Sequence, residues 1–336
     1  MVKYMLAFDK QNNSLTTDLN IDYSSQFRLS KKYNWKSLRP IYGCPHGCWY
    51  CYVKSSDKSK FRYLPADLHD KVPRFSRDVY IVENNVKKIE QFILDDIKKG
   101  AKNKEKYLHM SFCSDPFPYS KNNELQYREI VQNTLDIMKM VNGHGYRIEF
   151  ISKGIFPVDE IMKIDTEKVN CYGFSVPTLD FDYSDKFEPL ASPIRERIES
   201  AKKLDEAGFK IWVNIAPLFL GKLINKNKEV KYEFKTGVGE IYDFLNGFTN
   251  IHQLRIETLR GRNNLKNEIS MDELKEVEEM FYKVIKEKNI SRYFLDLGFN
   301  KQSADMDFCP KANLFHDEAR EKLKQKINKI KNTFIY

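Results

Sequence analysis

Short apolar runs rich in β-branched and aromatic residues alternate along this chain with longer amphipathic runs of helical period. Such alternation is typical of βα units around a mainly parallel sheet, because parallel neighbours need a crossover connection that is usually a helix. The strand predictions are residues 38–42, 107–113, 147–152, 169–176, 210–216, 253–258 and 293–297. The helix predictions are about residues 83–99, 122–141, 157–164, 193–207, 238–246 and 271–288. The sequence therefore predicts an α/β fold.

The helix after residue 192 has clear signals at both ends. Ser192 is predicted as its N-cap and Pro193 as its first helical residue, a position that suits a residue without an N–H. Ile198 and Leu204 lie on one apolar face, and Gly208 is expected to end the helix.

Polar residues follow several of the predicted strands. In parallel barrels and sheets, ligands bind at the C-terminal ends of the strands, so these residues are candidates for binding and catalysis. They are Ser114, Asp115, Lys153, Ser175, Asn214 and Glu257.

The composition excludes several classes of protein. With 41% hydrophobic and 31% charged residues, the chain of 336 residues is neither disordered nor collagen-like. No apolar run reaches the roughly 18 residues of a membrane span, and the start MVKYMLAFDKQNN lacks the apolar core of a signal peptide. A cytoplasmic protein without a membrane partner is therefore expected.

The charge is mildly basic, with 56 Lys and Arg against 47 Asp and Glu and a net charge of +9. A positive field attracts polyanions such as nucleic acids. The excess is concentrated after residue 51 and in the tail from residue 322, and blocks of like charge are also common on solvated faces. A nucleic acid partner and an ordinary solvated surface both stay open.

Three of the six cysteines, at positions 44, 48 and 51, lie within eight residues. Without a secretory signal, this spacing favours metal binding or catalysis over a disulfide framework. Three thiolates can hold a four-iron cluster and leave one iron open to a substrate. A structural zinc needs a fourth ligand, and His46 lies only two residues from two of the cysteines, which leaves it sterically cramped. The pattern favours the iron–sulfur cluster.

The cysteine segment resembles that of the radical S-adenosylmethionine (SAM) superfamily, whose C-x3-C-x-aromatic-C motif matches Cys44, Cys48, Tyr50 and Cys51. Within the superfamily, the chain is most similar to the spore photoproduct lyase-like branch. The matching segments keep the family's order over about residues 38–220: RPIYGC at 39–44, YCY at 50–52, SDPFP at 114–118, ISK at 151–153, FSV at 174–176, EP at 188–189, Arg197, AG at 207–208 and NIAP at 214–217.

The resemblance implies a partial (βα)6 barrel of the radical SAM type with N- and C-terminal extensions. We assign residues 1–36 to the N-terminal extension, 37–260 to the core barrel, and 261–336 to a C-terminal α/β extension that closes the barrel. The resemblance also implies a 4Fe-4S cluster on Cys44, Cys48 and Cys51, S-adenosylmethionine on its open iron, and an external electron donor such as flavodoxin or ferredoxin.

The resemblance further implies a set of cofactor-binding residues. Lys153 matches the lysine that meets the methionine carboxylate, and Tyr50 matches the aromatic residue that borders the cofactor. The set also contains Ser114, Asp115, Ser175 and Asn214. A surface lysine at a strand end and serines that cap turns are the structural alternatives.

Two residues are candidates for the radical chemistry. Tyr52 matches a tyrosine that relays a radical in the lyase-like branch, and Cys113 lies near the position of the branch's hydrogen-donating cysteine. That position is occupied here by Phe112, and alternate strand residues face opposite sides, so Cys113 would face away unless a bulge resets the register. This departure argues against reversal of DNA photoproducts.

The resemblance thus predicts a radical enzyme that reductively cleaves S-adenosylmethionine and abstracts hydrogen from a substrate. Basic charge favours a nucleobase in DNA or RNA as the substrate, with a peptide or a small metabolite as the alternative. A non-catalytic iron–sulfur sensor and a zinc-stabilised nucleic-acid-binding module are the two other function classes.

Overall fold

The computed structural model describes residues 3–5, 36–38, 40–42, 44–48, 50–51, 80–82, 84–98, 107–110, 114–119, 125–179, 181, 188–218, 234–258, 271–290 and 292–296. The chain divides into two compact units. The first consists of Met1–Phe174 and Ser184–Ile211, and the second of Ser175–Tyr183 and Trp212–Tyr336. Both units draw on residues 37–260, and the sequence-based boundaries at 36 and 260 stay a prediction.

The strands of the first unit form two sheets. They are β1 (Lys3–Met5), β2 (Lys36–Leu38), β3 (Ile41–Tyr42), β4 (Tyr80–Val82), β5 (Tyr107–Met110), β6 (Arg147–Ser152) and β7 (Cys171–Ser175), of which Ser175 belongs to the second unit. The strands β2, β5, β6 and β7 are neighbours in that order and pair in parallel. The small sheet has the order β1-β4-β3, with β1 parallel and β3 antiparallel to β4.

Four helices belong to the first unit: α1 (Asn85–Lys98), α2 (Leu125–Gly143), α3 (Val158–Ile164) and α4 (Ile194–Glu206). One face of the parallel sheet carries apolar side chains such as Leu108, Phe150 and Tyr172, and the opposite face carries the buried pair of His109 and Glu149, 3.3 Å apart. All five residues of β7 are buried. Phe150 and Tyr172 stack with ring centroids 5.6 Å apart, and Phe117 packs on Phe150 at 5.3 Å.

The second unit continues the βα alternation. It contains β8 (Lys210–Leu218) from Trp212 onward, α5 (Phe234–Asn246), β9 (Ile251–Thr258), α6 (Met271–Glu287) and β10 (Arg292–Asp296). The strands β9 and β10 are parallel, with Gln253 opposite Arg292. After α6, the Lys288 ammonium donates to the carbonyls of Asn246 and Phe248 at 2.8 and 2.7 Å, which satisfies backbone acceptors just after α5.

The structure confirms the predicted order of strands and helices, with two differences. The predicted strand at 38–42 is divided into β2 and β3, because Pro40 lies between them and has no N–H for a ladder. The strands β1 and β4 were not predicted, because three-residue strands are too short to show a periodic pattern. None of the described helices is both long and apolar enough to span a bilayer.

The prediction for the start of α4 was wrong in one respect. Pro193 is the N-cap residue, with φ −51° and ψ 134°, and no side chain caps the helix. The Ser192 hydroxyl instead donates to the carbonyl of Lys153 at 2.8 Å and accepts from the Arg197 guanidinium at 3.3 Å. Gly208 follows the helix with a φ of +84°, as predicted for its end.

Candidate active site

The three cysteines lie on a loop after β3, residues 44–48 and 50–51, which we call the cysteine loop. Gly47 has a φ of +64°, and the Cys51 amide donates to the Cys48 carbonyl at 3.3 Å. The loop thus turns back on itself. Cys48 is buried, Cys44 and Cys51 are half-buried, and none of the described cysteines forms a disulfide.

Burial controls the ionisation of these thiols. It raises the pKa of Cys44 well above the ordinary value, and the charges of Asp115, Cys48 and Cys51 raise that pKa further. Burial also raises the pKa of Cys48 to about 12. Two of the three thiols therefore stay protonated at neutral pH unless a cation compensates their thiolates, as a bound metal does.

His46 is buried between the cysteines and is held by the protein itself. Its Nδ1 lies 3.4 Å from Asp115 Oδ2, and its Nε2 accepts from the Tyr119 amide at 3.5 Å. Burial lowers the pKa of His46, so the ring is neutral and carries its proton on Nδ1, toward Asp115. With both nitrogens engaged, His46 is poorly placed to be a fourth zinc ligand.

A buried ionic cluster borders the cysteine loop. The Tyr50 hydroxyl donates to Glu188 Oε1, and the Arg197 guanidinium donates to Glu188 Oε2 at 3.1 Å. The Lys153 ammonium lies 3.7 Å from Glu188 Oε1 and 5.3 Å from the centroid of the Tyr50 ring. We call these four residues the Glu188 cluster.

The charges of the Glu188 cluster stabilise one another. Burial raises the pKa of the Glu188 carboxyl, but Arg197, Lys153 and the Tyr50 hydroxyl outweigh it and hold that pKa below the ordinary value. Burial lowers the pKa of Lys153, but Cys48, whenever it is ionised, and Glu188 outweigh it and raise that pKa. The cluster therefore presents a charged lysine beside the cysteine loop.

The residues after β5 and β6 are tied together. Ser114 is half-buried, whereas Asp115 is buried and accepts from the Ser152 hydroxyl at 2.6 Å and from the Lys153 amide at 2.7 Å. Gly154 packs against the carbonyl of Phe117, and its amide donates to the Ser152 hydroxyl at 2.8 Å. Seven of the predicted site residues belong to the first unit: Cys44, Cys48, Cys51, Tyr50, Ser114, Asp115 and Lys153.

The other two predicted cofactor residues, Ser175 and Asn214, lie together in the second unit. The Asn214 side-chain amide donates to the Ser175 hydroxyl at 3.0 Å, and the Asn214 backbone carbonyl accepts from the Val176 amide at 2.9 Å. Its Oδ1 is buried and accepts no hydrogen bond within the described part of the chain. Glu257 pairs with Arg255 at 3.0 Å. Tyr52 and Cys113 lie outside the described residues.

Glu188 and Arg197 were not among the predicted site residues, although the sequence contains a signal for them. Arg197 lies four residues before Ala201 and seven before Leu204, so it shares the buried face of α4. A fully buried arginine requires an acidic partner. Glu188 was the nearest carboxylate on the preceding segment that could supply one.

The donor set of the cysteine loop fits an iron–sulfur cluster. It offers three sulfur atoms, which are the ligands that iron–sulfur clusters take. In the described part of the chain, no three His, Cys, Asp or Glu side chains are grouped as ligands of a single ion. A cluster distributes its three thiolates over three irons and does not require such a group.

Comparison with known proteins gives a family and a fold. Residues 38–222, which are more than half of the chain, match the model of the Radical SAM superfamily. The curated protein "Uncharacterized protein ORF301" of Acidianus two-tailed virus is 23% identical over 204 residues, which are 60% of this chain. The chain covers 61% of the length of that relative.

Solved structures are similar as well. One is spore photoproduct lyase complexed with dinucleoside spore photoproduct, with 16% identity and a TM-score of 0.53 over 83% of this chain and 80% of that one. Another is Streptococcus suis SuiB bound to S-adenosylmethionine, with 14% identity and a TM-score of 0.43 over 83% of this chain and 51% of that one. The first likeness confirms the predicted α/β fold of the partial (βα)6 barrel type.

Proposed function

Because this chain belongs to the radical SAM superfamily, we propose that it holds a 4Fe-4S cluster on Cys44, Cys48 and Cys51 and binds S-adenosylmethionine beside it. When bound and reduced, these groups supply methionine and a 5′-deoxyadenosyl radical that abstracts hydrogen from a substrate. The observation that carries the proposal is the position of the Glu188 cluster: its Tyr50 lies in the cysteine loop between Cys48 and Cys51, and its Lys153 ammonium lies 5.3 Å from the centroid of the Tyr50 ring.

Lys153 is the residue we propose for the methionine carboxylate. Its ammonium is within 3.7 Å of Glu188 Oε1, a contact that is long for a hydrogen bond and leaves the donors of the ammonium able to reach a second carboxylate. Glu188 keeps Arg197 as its partner at 3.1 Å, so it is not left as an uncompensated buried charge when Lys153 turns to the cofactor.

Tyr50 is proposed to form one wall of the cofactor site. Its hydroxyl is fixed by Glu188 and its ring faces the Lys153 ammonium, so neither part turns independently of the ionic cluster. In the second unit, the buried Oδ1 of Asn214 is an acceptor suited to a ligand donor, and its amide orients the Ser175 hydroxyl. We propose Ser114, in the first unit, as a polar contact of S-adenosylmethionine. The expectation that Ser175 and Asn214 also bind the cofactor rests on the sequence resemblance and stays a prediction.

Replacing Lys153 with glutamine is expected to weaken binding of S-adenosylmethionine by roughly ten- to hundredfold, because a hydrogen bond to a charged group is worth about 1.5–3 kcal/mol. Equilibrium dialysis of radiolabelled S-adenosylmethionine against the cluster-loaded variant measures the change. The iron content should not change. Lys163→Gln on the surface of α3 is the control, and equal affinity in both variants would rule out the proposed role of Lys153.

The proposed cofactor set is tested by electron paramagnetic resonance. The anaerobically reconstituted protein, reduced with dithionite, is expected to give the signal of a reduced four-iron cluster, and S-adenosylmethionine should shift that signal. A reduced cluster whose signal is the same with and without S-adenosylmethionine would support the non-catalytic sensor. A colourless protein that contains zinc would support the binding module.

We propose a nucleobase in DNA or RNA as the substrate. Two observations support it: the net charge of +9, and the likeness to a lyase whose structure was solved with a dinucleoside photoproduct. Phe112 at the position of the hydrogen-donating cysteine argues for a reaction other than photoproduct reversal. Release of 5′-deoxyadenosine should increase when single-stranded DNA or RNA oligonucleotides are added, and the increase should fall with rising salt. No response to either nucleic acid would favour a peptide or a small metabolite.

The proposed electron source is an external flavodoxin or ferredoxin, since three of the four described cysteines lie on the cysteine loop and Cys171 on β7 cannot hold a second cluster by itself. Reduced flavodoxin should replace dithionite in the cleavage assay. A protein that accepts electrons from dithionite alone would contradict this partner.

A further inference from the structure

The buried carboxylate of Asp115 accepts from several different segments. Its Oδ1 accepts from the Ser152 hydroxyl at 2.6 Å and from the Phe117 amide at 2.9 Å. Its Oδ2 accepts from the Lys153 amide at 2.7 Å, and Nδ1 of His46 lies 3.4 Å from the same oxygen. Two carboxylate oxygens have about four lone-pair positions, and these four groups use them.

The donors of Asp115 join two parts of the proposed site. His46 lies between Cys44 and Cys48 in the cysteine loop, and Lys153 follows directly after β6. Hydrogen bonds to an ionised carboxylate are short and about twice as strong as neutral ones. The Asp115 side chain therefore fixes the backbone of Lys153 and also lies next to His46 of the cysteine loop.

A second connection joins the same two residues from the other side. In the segment before α4, the Leu190 amide donates to the His46 carbonyl at 3.2 Å. The Ser192 amide and hydroxyl both donate to the Lys153 carbonyl, at 3.1 and 2.8 Å. His46 and Lys153 are thus held by Asp115 at one side and by the residues after Glu188 at the other.

We propose that Asp115 is a positioning residue, which sets the place of Lys153 relative to the cysteine loop and thereby the affinity for S-adenosylmethionine. Its oxygens bind the protein's own donors, so it acts through Lys153 and His46 and has no contact of its own with the cofactor. This inference rests on the proposed function and differs from the sequence-based expectation that Asp115 binds the cofactor directly.

Asp115→Asn is the variant that tests the proposal, because it keeps the shape and removes one acceptor. Whichever way the new amide turns, its NH2 group meets a backbone N–H, that of Phe117 or that of Lys153. We expect the cluster-loaded variant to contain as much iron and sulfide as the wild type. Its affinity for S-adenosylmethionine should fall by about tenfold, the loss expected from a misplaced charged contact. The electron paramagnetic resonance shift caused by S-adenosylmethionine should become smaller.

Asp165→Asn is the matched control. Asp165 is also buried and accepts from the Val169 and Asn170 amides at 2.8 and 3.1 Å and from the Tyr172 hydroxyl at 2.9 Å, all within eight residues of itself. It contacts neither Lys153 nor the cysteine loop in any described hydrogen bond. We expect Asp165→Asn to lower thermal stability but to leave the affinity for S-adenosylmethionine within about twofold of wild type.

Amide hydrogen exchange gives a readout that needs no cofactor. In Asp115→Asn, exchange should become faster at Lys153 or Phe117, and in Asp165→Asn at Val169 or Asn170 instead. If Asp115→Asn does not fold, Ser152→Ala removes one donor of Asp115, together with the acceptor of the Gly154 amide, and should weaken S-adenosylmethionine binding by about threefold, because the Lys153 and Phe117 amides still hold the carboxylate.

Two results overturn the inference while leaving the proposed function intact. One is an Asp115→Asn variant that binds S-adenosylmethionine as tightly as Asp165→Asn does. The other is an Asp115→Asn variant that has lost its iron but whose Lys153 and Phe117 amides both exchange at the wild-type rate. A wild-type chain that neither holds iron nor binds S-adenosylmethionine would instead refute the proposed function itself.

Discussion

The Cys48→Ala variant is expected to be purified without iron and to form no 5′-deoxyadenosine. Cys48 is the middle cysteine of the loop, and burial raises the pKa of its thiol to about 12, so a bound cation favours its thiolate. Two remaining thiolates leave two irons of a four-iron cluster without a protein ligand. Iron and sulfide analysis after anaerobic reconstitution measures the first effect, and chromatography of the reaction products measures the second.

The matched control for this variant is Cys171→Ala. Cys171 is a fully buried cysteine on β7, so the same substitution removes a similar volume from the core. It belongs to no described group of cysteines, and full iron content and activity are expected. A Cys48→Ala protein that retains its iron and cleaves S-adenosylmethionine at the wild-type rate would refute the assignment of the cluster to this loop.

Gly154→Ala is expected to destabilise the first unit and to abolish binding of S-adenosylmethionine. A Cβ on Gly154 would overlap the backbone carbonyl of Phe117 and lie 3.2 Å from the Ser152 hydroxyl. The loops after β5 and β6 would have to separate, which breaks the contacts that hold Lys153. Overpacking of this kind costs typically 1–3 kcal/mol and occasionally more. Because the Phe117 carbonyl is backbone and cannot move aside easily, we expect the free energy of unfolding to fall by about 3 kcal/mol and the Tm by about 5 °C or more.

Gly143→Ala is the control for this prediction. Gly143 is the last residue of α2, and a Cβ there would have no heavy atom within 4 Å. Alanine is favoured over glycine in helices by roughly 0.5–1 kcal/mol, so the Tm of this variant should stay the same or rise slightly. Thermal unfolding followed by circular dichroism compares the two variants. Equal Tm values would show that the loops after β5 and β6 are not packed as closely as the structure indicates.

The order of strands and helices could be predicted because its signals are local. In amphipathic helices such as α4 and α6, apolar residues recur with the helical period, and a strand such as β7 is a short buried run. Both signals lie within a single segment of the sequence. The start of α4 could not be predicted correctly, because the Ser192 hydroxyl binds the carbonyl of Lys153, a tertiary partner. The three-residue strands β1 and β4 depend on pairing with each other, which no local pattern reveals.

The site was predicted as far as spacing and strand ends allow. The cysteine spacing indicates a metal ligand set, and the position of Lys153 after a strand marks it as a candidate. Whether Asp115 faces a ligand or the protein depends on donors from residues 46, 117, 152 and 153, which only the fold brings together. The pairing of Glu188 with Arg197 is likewise a tertiary contact, although the arginine on the buried helix face signals it.

The most direct test of the central claim is the release of 5′-deoxyadenosine from S-adenosylmethionine by the anaerobically reconstituted protein under reduction. The account predicts that the wild-type chain forms it at a rate well above that of the Cys48→Ala variant and of reductant alone, and that Lys153→Gln requires more S-adenosylmethionine to reach half of the wild-type rate. A wild-type protein that carries a reduced four-iron cluster yet forms no more 5′-deoxyadenosine than the reductant alone would contradict the account.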